Sequence, residues 1–159
     1  MNINSNDEFN TTIFSSEEKI NRDTLAQECW EQGASYVIPE ILVKELGWNA
    51  AICWSIIKSY SSSERFFSQS DTFIAEKMEV EECAISNLLK VLSENKNIFT
   101  LTWNTSKGNI RHIITDCNVT CYWRNWLRRP IVPREAQREF IRMTYGEETV
   151  KFLGLEEDA

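Results

Sequence analysis

Asp71 to Trp103 reads DTFIAEKMEVEECAISNLLKVLSENKNIFTLTW. Its apolar spacing predicts a helix, a tight turn, a second helix and then a strand. Ile74, Ala75 and Met78 share one face of the first helix, Val80 sits in the turn, and Ile85, Leu88, Leu89 and Leu92 share one face of the second. The small Ala75 lets two short helices cross steeply, which leaves the second with one face buried and the opposite face free.

The reading extends outward on both sides. Upstream, Ile38-Pro39 opens a short helix carrying Ile41, Leu42, Val43 and Leu46, with Pro39 in its first turn and a stop near Gly47. Asn49 to about Tyr60 gives another, with Ile52, Cys53, Ile56, Ile57 and Tyr60 at helical spacing. Ser61-Ser62-Ser63 is a polar loop, Arg65-Phe66-Phe67-Ser68 a short strand, and Ser70 or Asp71 the cap of the helix that follows. Downstream, Glu94 to Asn97 breaks the helical pattern. Ile98 to Trp103 and Ile110 to Thr115 then form two strands around the turn cluster Asn104 to Asn109, a β-hairpin.

The chain divides into three parts. Residues 1–35 form a polar, acidic arm with one amphipathic helix over about 16–32, introduced by a capping box at Ser15 and Glu18 and stopped at Gly33. Residues 36–116 hold the helices and hairpin. Residues 117–159 are an aromatic and Arg-rich helical extension with an acidic tail. Its main helix runs from Pro133 to about Tyr145 with Ala136, Phe140 and Met143 toward the protein, ends at Gly146, and is followed by a short helix near Glu147 to Leu153. The expected fold is mainly α with a small β-hairpin.

At 159 residues and 42% hydrophobic, the chain can build a real core. No run approaches the roughly eighteen apolar residues of a membrane span, and the opening MNINSNDEF resembles neither a secretory signal nor a transit peptide. A cytoplasmic protein is expected. Five scattered cysteines read as reduced thiols, and with a single His, His112, a four-ligand zinc site would have to recruit distant groups. Neither a metal nor a cofactor is expected. Catalysis is not expected either: nothing pairs His112 with a nucleophile, five Gly give little material for a phosphate-cradling loop, and no Gly-x-Ser-x-Gly or His-x-Glu motif occurs.

The net charge is −7. Its distribution is uneven: residues 124–146 carry six arginines against two acids, between two acidic ends.

Helix, short strand, helix, turn, helix, hairpin is the order in which Phe66-Phe67, Ile74-Ala75, Val80, Ile85, Leu88-Leu89, Leu92 and Ile98-Phe99 succeed one another. In this order and in these residues the chain resembles the winged helix-turn-helix domains of phage and plasmid replication proteins and of many bacterial regulators. The stretch from Ala51 to Met78 looks like the entry to phage replication modules. The resemblance covers about Pro39 to Thr115 and implies a winged-helix core with extra terminal helices, binding double-stranded DNA. It puts Ser86, Asn87 and Lys90 on the groove-facing side of the second helix, where Asn87 can read adenine and Lys90 guanine or phosphate. Lys107, Asn109 and Arg111 fall in or beside the wing, placed for phosphate or the minor groove. Two features depart from the pattern. Glu79 stands at the turn position that is commonly Gly, and Glu81 and Glu82 open the second helix where Ser or Thr is common.

Tyr122-Trp123-Arg124-Asn125-Trp126-Leu127-Arg128-Arg129 interleaves aromatics with guanidinium groups. Arg128 and Arg129 could widen a nucleic-acid footprint, or neutralise the acidic ends in cis, while Trp123 or Trp126 enters the core. An alternative partner is a basic, nucleic-acid-handling protein met by Glu79, Glu81, Glu82, Trp123 and Trp126, as in a phage-encoded inhibitor of the anti-CRISPR type. A homodimer is compatible with either reading, because the terminal helices lie outside the core.

Overall fold

A computed structural model of the chain describes residues 36–61, 63 and 65–156. The helix expected over 16–32 lies outside the described residues. From Tyr36 onward the chain forms one unit, mainly helical with a two-stranded antiparallel sheet.

Helix α1 (Glu40–Leu46) is preceded by Pro39, which takes the cap position rather than the first turn. Gly47 ends α1 and starts α2 (Trp48–Ser59) in a single residue, at φ 90° and ψ 170°. Side chains rarely tolerate that backbone region, so this corner requires glycine. α2 is the central helix: Ala50, Ala51, Cys53, Trp54, Ser55, Ile56 and Ile57 are all buried along it. The buried Ser55 hydroxyl is satisfied by the carbonyls of Val37 and Ala51, at 2.9 and 2.8 Å. Trp54 Nε1 donates to Asn97 O at 3.2 Å and ties α2 to the start of the hairpin.

Helix α3 (Asp71–Met78) is capped by Ser70, whose Oγ accepts from Phe73 N at 3.3 Å. It ends at Glu79, which adopts the left-handed conformation at φ 55°. This is the position where the resemblance favours glycine. Helix α4 (Glu82–Glu94) buries Ile85 and Leu92, with Leu88 and Leu89 packed partly against the same cluster. Val80, in the intervening turn, is exposed.

Strands β1 (Ile98–Thr105) and β2 (Gly108–Thr115) pair in register from Ile98 opposite Thr115 to Thr105 opposite Gly108. Both run longer than the sequence suggested, and the turn contracts to Ser106-Lys107. The short strand expected at Arg65–Ser68 is a single bridge, in which Phe67 exchanges backbone bonds of 2.8 and 2.9 Å with Ile113 on the free side of β2.

Alternation along the strands sends neighbouring residues to opposite faces, and at the base of this hairpin both faces are buried. Ile98 and Ile113 join the core of α1 to α4. Leu101, Trp103 and Ile114 join a second core with the C-terminal segment. That segment comprises a 3-10 turn (Asp116–Asn118), α5 (Val119–Tyr122), a π-helical turn (Trp123–Leu127), α6 (Arg134–Tyr145) and α7 (Glu147–Phe152). The extension expected over 117–159 is therefore the cover of the sheet's second face, within the same unit as the helices and hairpin. One expectation is corrected: α6 buries Ala136, Phe140 and Ile141, whereas Met143 is exposed. The stripe bends toward Ile141 because α7, with buried Val150, packs on that side. Gly146 repeats the Gly47 corner between α6 and α7, at φ 92° and ψ 169°. Among the described residues no helix is long and apolar enough to cross a membrane.

Candidate nucleic-acid interface

Burying Ile85 and Leu92 turns the other side of α4 to solvent, and Glu82, Cys83, Ser86, Asn87 and Lys90 are exposed there. Ser86 and Asn87 have no side-chain hydrogen bond to any described residue, so their donors and acceptors face water. Lys90 meets Glu94 at 3.9 Å, with both side chains well exposed, a pairing too loose and wet to commit the ammonium.

The hairpin residues fare differently. Lys107 sits at the exposed tip, where Thr105 Oγ1 accepts from its backbone N–H at 3.2 Å and bonds Gly108 O at 2.8 Å. These bonds shape the turn, and the Lys107 side chain forms no hydrogen bond or ion pair among the described residues. Asn109 is exposed beside it. Arg111, two residues further along the strand, is anchored: its guanidinium donates to Asp71 Oδ1 at 2.6 Å and to Gln69 O at 2.8 Å. It clamps the start of α3 onto β2 and is already engaged. Asp71 is thereby both the first residue of α3 and the anion that holds Arg111.

Acidic groups crowd the entry to α4. Glu79, Glu81 and Glu82 are exposed and form no ion pair among the described residues. Glu81 takes the cap position without a capping side-chain bond, and its carboxylate receives the Cys83 thiol at 3.6 Å. The N-terminal dipole of α4 favours these carboxylates.

The arginine and tryptophan cluster lies across the sheet, on the side of the second core. Arg128 stacks over Trp123 at 5.1 Å and Arg129 over Trp126 at 4.3 Å, with Arg129 Nε also bonded to Asn125 O at 3.1 Å. Arg134 and Arg138 bind the carbonyls of Gly154 and Leu155 at 2.7 and 2.6 Å, holding the chain end against α6. The candidate residues thus fall into two groups: Ser86, Asn87, Lys90, Lys107 and Asn109 belong to α4 and the hairpin tip, and Arg128 and Arg129 to the opposite side.

Sequence reasoning missed the cage around His112. The imidazole is buried, lies against Phe66 at 3.8 Å between ring centres, and is flanked by Trp103 and Trp126 at 4.9 and 5.2 Å. His112 Nδ1 is 2.9 Å from the Tyr122 hydroxyl. Burial pulls the imidazole pKa down to about 4 and pushes the Tyr122 phenol up, so both are neutral near pH 7. Trp103 Nε1 and Trp126 Nε1 are buried without a hydrogen-bond partner among the described residues. Burial likewise raises the Cys53 thiol to about 12, with Asp71 adding to the effect, so Cys53 is a packing residue.

No protein-family model matches the chain, and no curated protein or solved structure shows significant similarity to it.

Proposed function

We propose that this protein is a DNA-binding winged helix in which α4 is the groove-reading helix and the hairpin is the wing. The order α2, Phe67 bridge, α3, α4, β1, β2 supports this reading, as does the pairing of the Phe67 segment with β2 rather than β1. The observation that carries it is the uncommitted polar face of α4. Ser86 and Asn87 present groups that read base edges, and Lys90 and Lys107 supply phosphate contacts. With Arg111 engaged, the phosphate footprint is small. We expect a salt dependence with a slope of about −2, corresponding to roughly two phosphates.

A specific observation favours a second reading. Glu79, Glu81 and Glu82 form an acidic rim at the entry to α4, without an ion pair among the described residues. Such a rim suits a basic patch on a nucleic-acid-handling protein, with α4 standing where that partner's nucleic acid would lie. One experiment separates the two. Binding of a labelled duplex is followed by fluorescence anisotropy at low and near-physiological salt, for the natural protein and for the Glu81→Lys, Glu82→Lys double variant. The DNA reading expects salt-sensitive binding that strengthens in the double variant. No binding by either protein at low salt overturns it. The second reading then expects capture of a basic DNA-handling protein that the double variant loses.

A further inference from the structure

Among the described residues β1 is an open edge of the sheet: it pairs with β2 on one side only, whereas β2 also meets Phe67 on its far side. The register determines what this edge presents. The hairpin closes at Thr105 opposite Gly108, and across a two-residue turn that pair exchanges both ladder bonds, so bonded and non-bonded pairs alternate from there. Leu101 and Trp103 direct their backbone groups to β2; Thr100, Thr102 and Asn104 direct theirs outward. The Phe67 bridge checks the assignment. Ile113, opposite Thr100, is a non-bonded partner on the same count, and its outward groups are the ones that bond Phe67. Among the described residues no backbone bond engages the outward groups of Thr100, Thr102 or Asn104.

These three residues line a groove of about 420 Å³ whose far wall is α6, through Pro133, Glu135, Glu139 and Met143. Natural edge strands are commonly guarded by Lys, Pro or a bulge. β1, IFTLTWNT, contains no charged residue and no proline, and its register is unbroken. The wall is acidic. Glu135 is exposed and forms no ion pair among the described residues. Glu139 shares Arg142 with Glu147, at 2.7 and 2.6 Å, so that trio keeps a net negative charge.

We propose that this groove docks an extended, basic segment of a partner protein, which adds to β1 as a further strand. Backbone groups of Thr100, Thr102 and Asn104 supply the ladder. Lys or Arg side chains of the segment that fall on the Leu101 and Trp103 face point toward α6 and meet Glu135 and Glu139, while the intervening apolar side chains extend the Thr100 and Thr102 row. A second copy of this chain is the weaker occupant, because pairing β1 with β1 brings two acidic walls together. The proposal is independent of how α4 is used.

The test is amide hydrogen exchange by NMR on the full chain, with and without the acetylated peptide KVKVKVK, alongside anisotropy with its fluorescein-labelled form. Binding should slow exchange of the Thr100, Thr102 and Asn104 amides and leave the already bonded Leu101 and Trp103 amides unchanged. EVEVEVE should not bind, nor should KVKVKVK carrying backbone N-methyl groups at alternate positions. Glu135→Lys, a change on an exposed helix surface, should weaken binding about two- to fivefold, the worth of an exposed ion pair. Three results would overturn the proposal: no saturable binding, binding that leaves the three edge amides unprotected, or protection that arises without peptide and grows with protein concentration. The last would give the edge to a second copy.

Discussion

Gly47 and Gly146 share a backbone conformation near φ 90° and ψ 170°, and an added Cβ would meet no atom within 4 Å at either site. Substitution cost there is backbone strain alone. Gly47→Ala and Gly146→Ala are each expected to lose about 1–3 kcal/mol, measured by urea denaturation with an unchanged m-value. At His112 the expected effect depends on pH. Its pKa is depressed from 6.5 to about 4 in the folded protein, so between those values the unfolded chain binds the extra proton. Stability present above pH 6.5 is therefore lost as pH falls toward 4, by up to about 3 kcal/mol. Thermal melts from pH 7 to pH 4 should show this slope, and His112→Gln should remove its contribution. Both glycines were legible as helix stops, because a stop is a local signal. The cage was not: Phe66, Trp103 and the helical pair Tyr122 and Trp126 come from three separate segments, and no periodicity brings the three together.

At the scale of elements, α4 and the hairpin were legible because amphipathic spacing sustained over a dozen residues, and two runs of β-forming residues around a turn cluster, are both strong signals. The division of labour within the hairpin was not. Lys107 and Arg111 look alike as basic residues near a turn, and only the contact with Asp71, 40 positions away, separates them. They should behave oppositely when replaced. Arg111→Ala should lose about 1–3 kcal/mol of stability by freeing a half-buried carboxylate and the start of α3, read as a lower Tm. Lys107→Ala should leave the Tm unchanged and, on the DNA reading, weaken binding to all duplexes alike. Asn87→Ala should instead relax sequence preference, measured as a smaller ratio between the best and a scrambled duplex. The shift from Met143 to Ile141 in α6 and the π turn at Trp123 to Leu127 were also beyond local reading, since both depend on what packs against them.

At the scale of the molecule, the sheet is a shared wall between two apolar cores. A division at residue 116 looks natural from the sequence, where composition changes abruptly. In the folded chain it would bare Leu101, Trp103 and Ile114 together. A fragment ending at Asp116 is expected to aggregate or melt far below the full chain, as size-exclusion chromatography and calorimetry would show. The arginines that give residues 124–146 their basic character are largely occupied in stacking on tryptophans and holding the chain end. Regional net charge therefore overstated the basic surface on offer.

The single bridge between Phe67 and Ile113 also bears on the order of assembly. A hairpin with a two-residue turn closes within microseconds, and neighbouring helices pair through local contacts. Joining Phe67 to β2 closes the longest loop among the backbone pairings of the sheet, and on loop-closure entropy it is expected to form last of them. Such late-forming contacts govern how fast a protein comes apart more than how fast it forms. Weakening Phe67 should thus shorten the lifetime of the native state while leaving the refolding rate nearly untouched, making this one-residue strand the kinetic latch of the molecule.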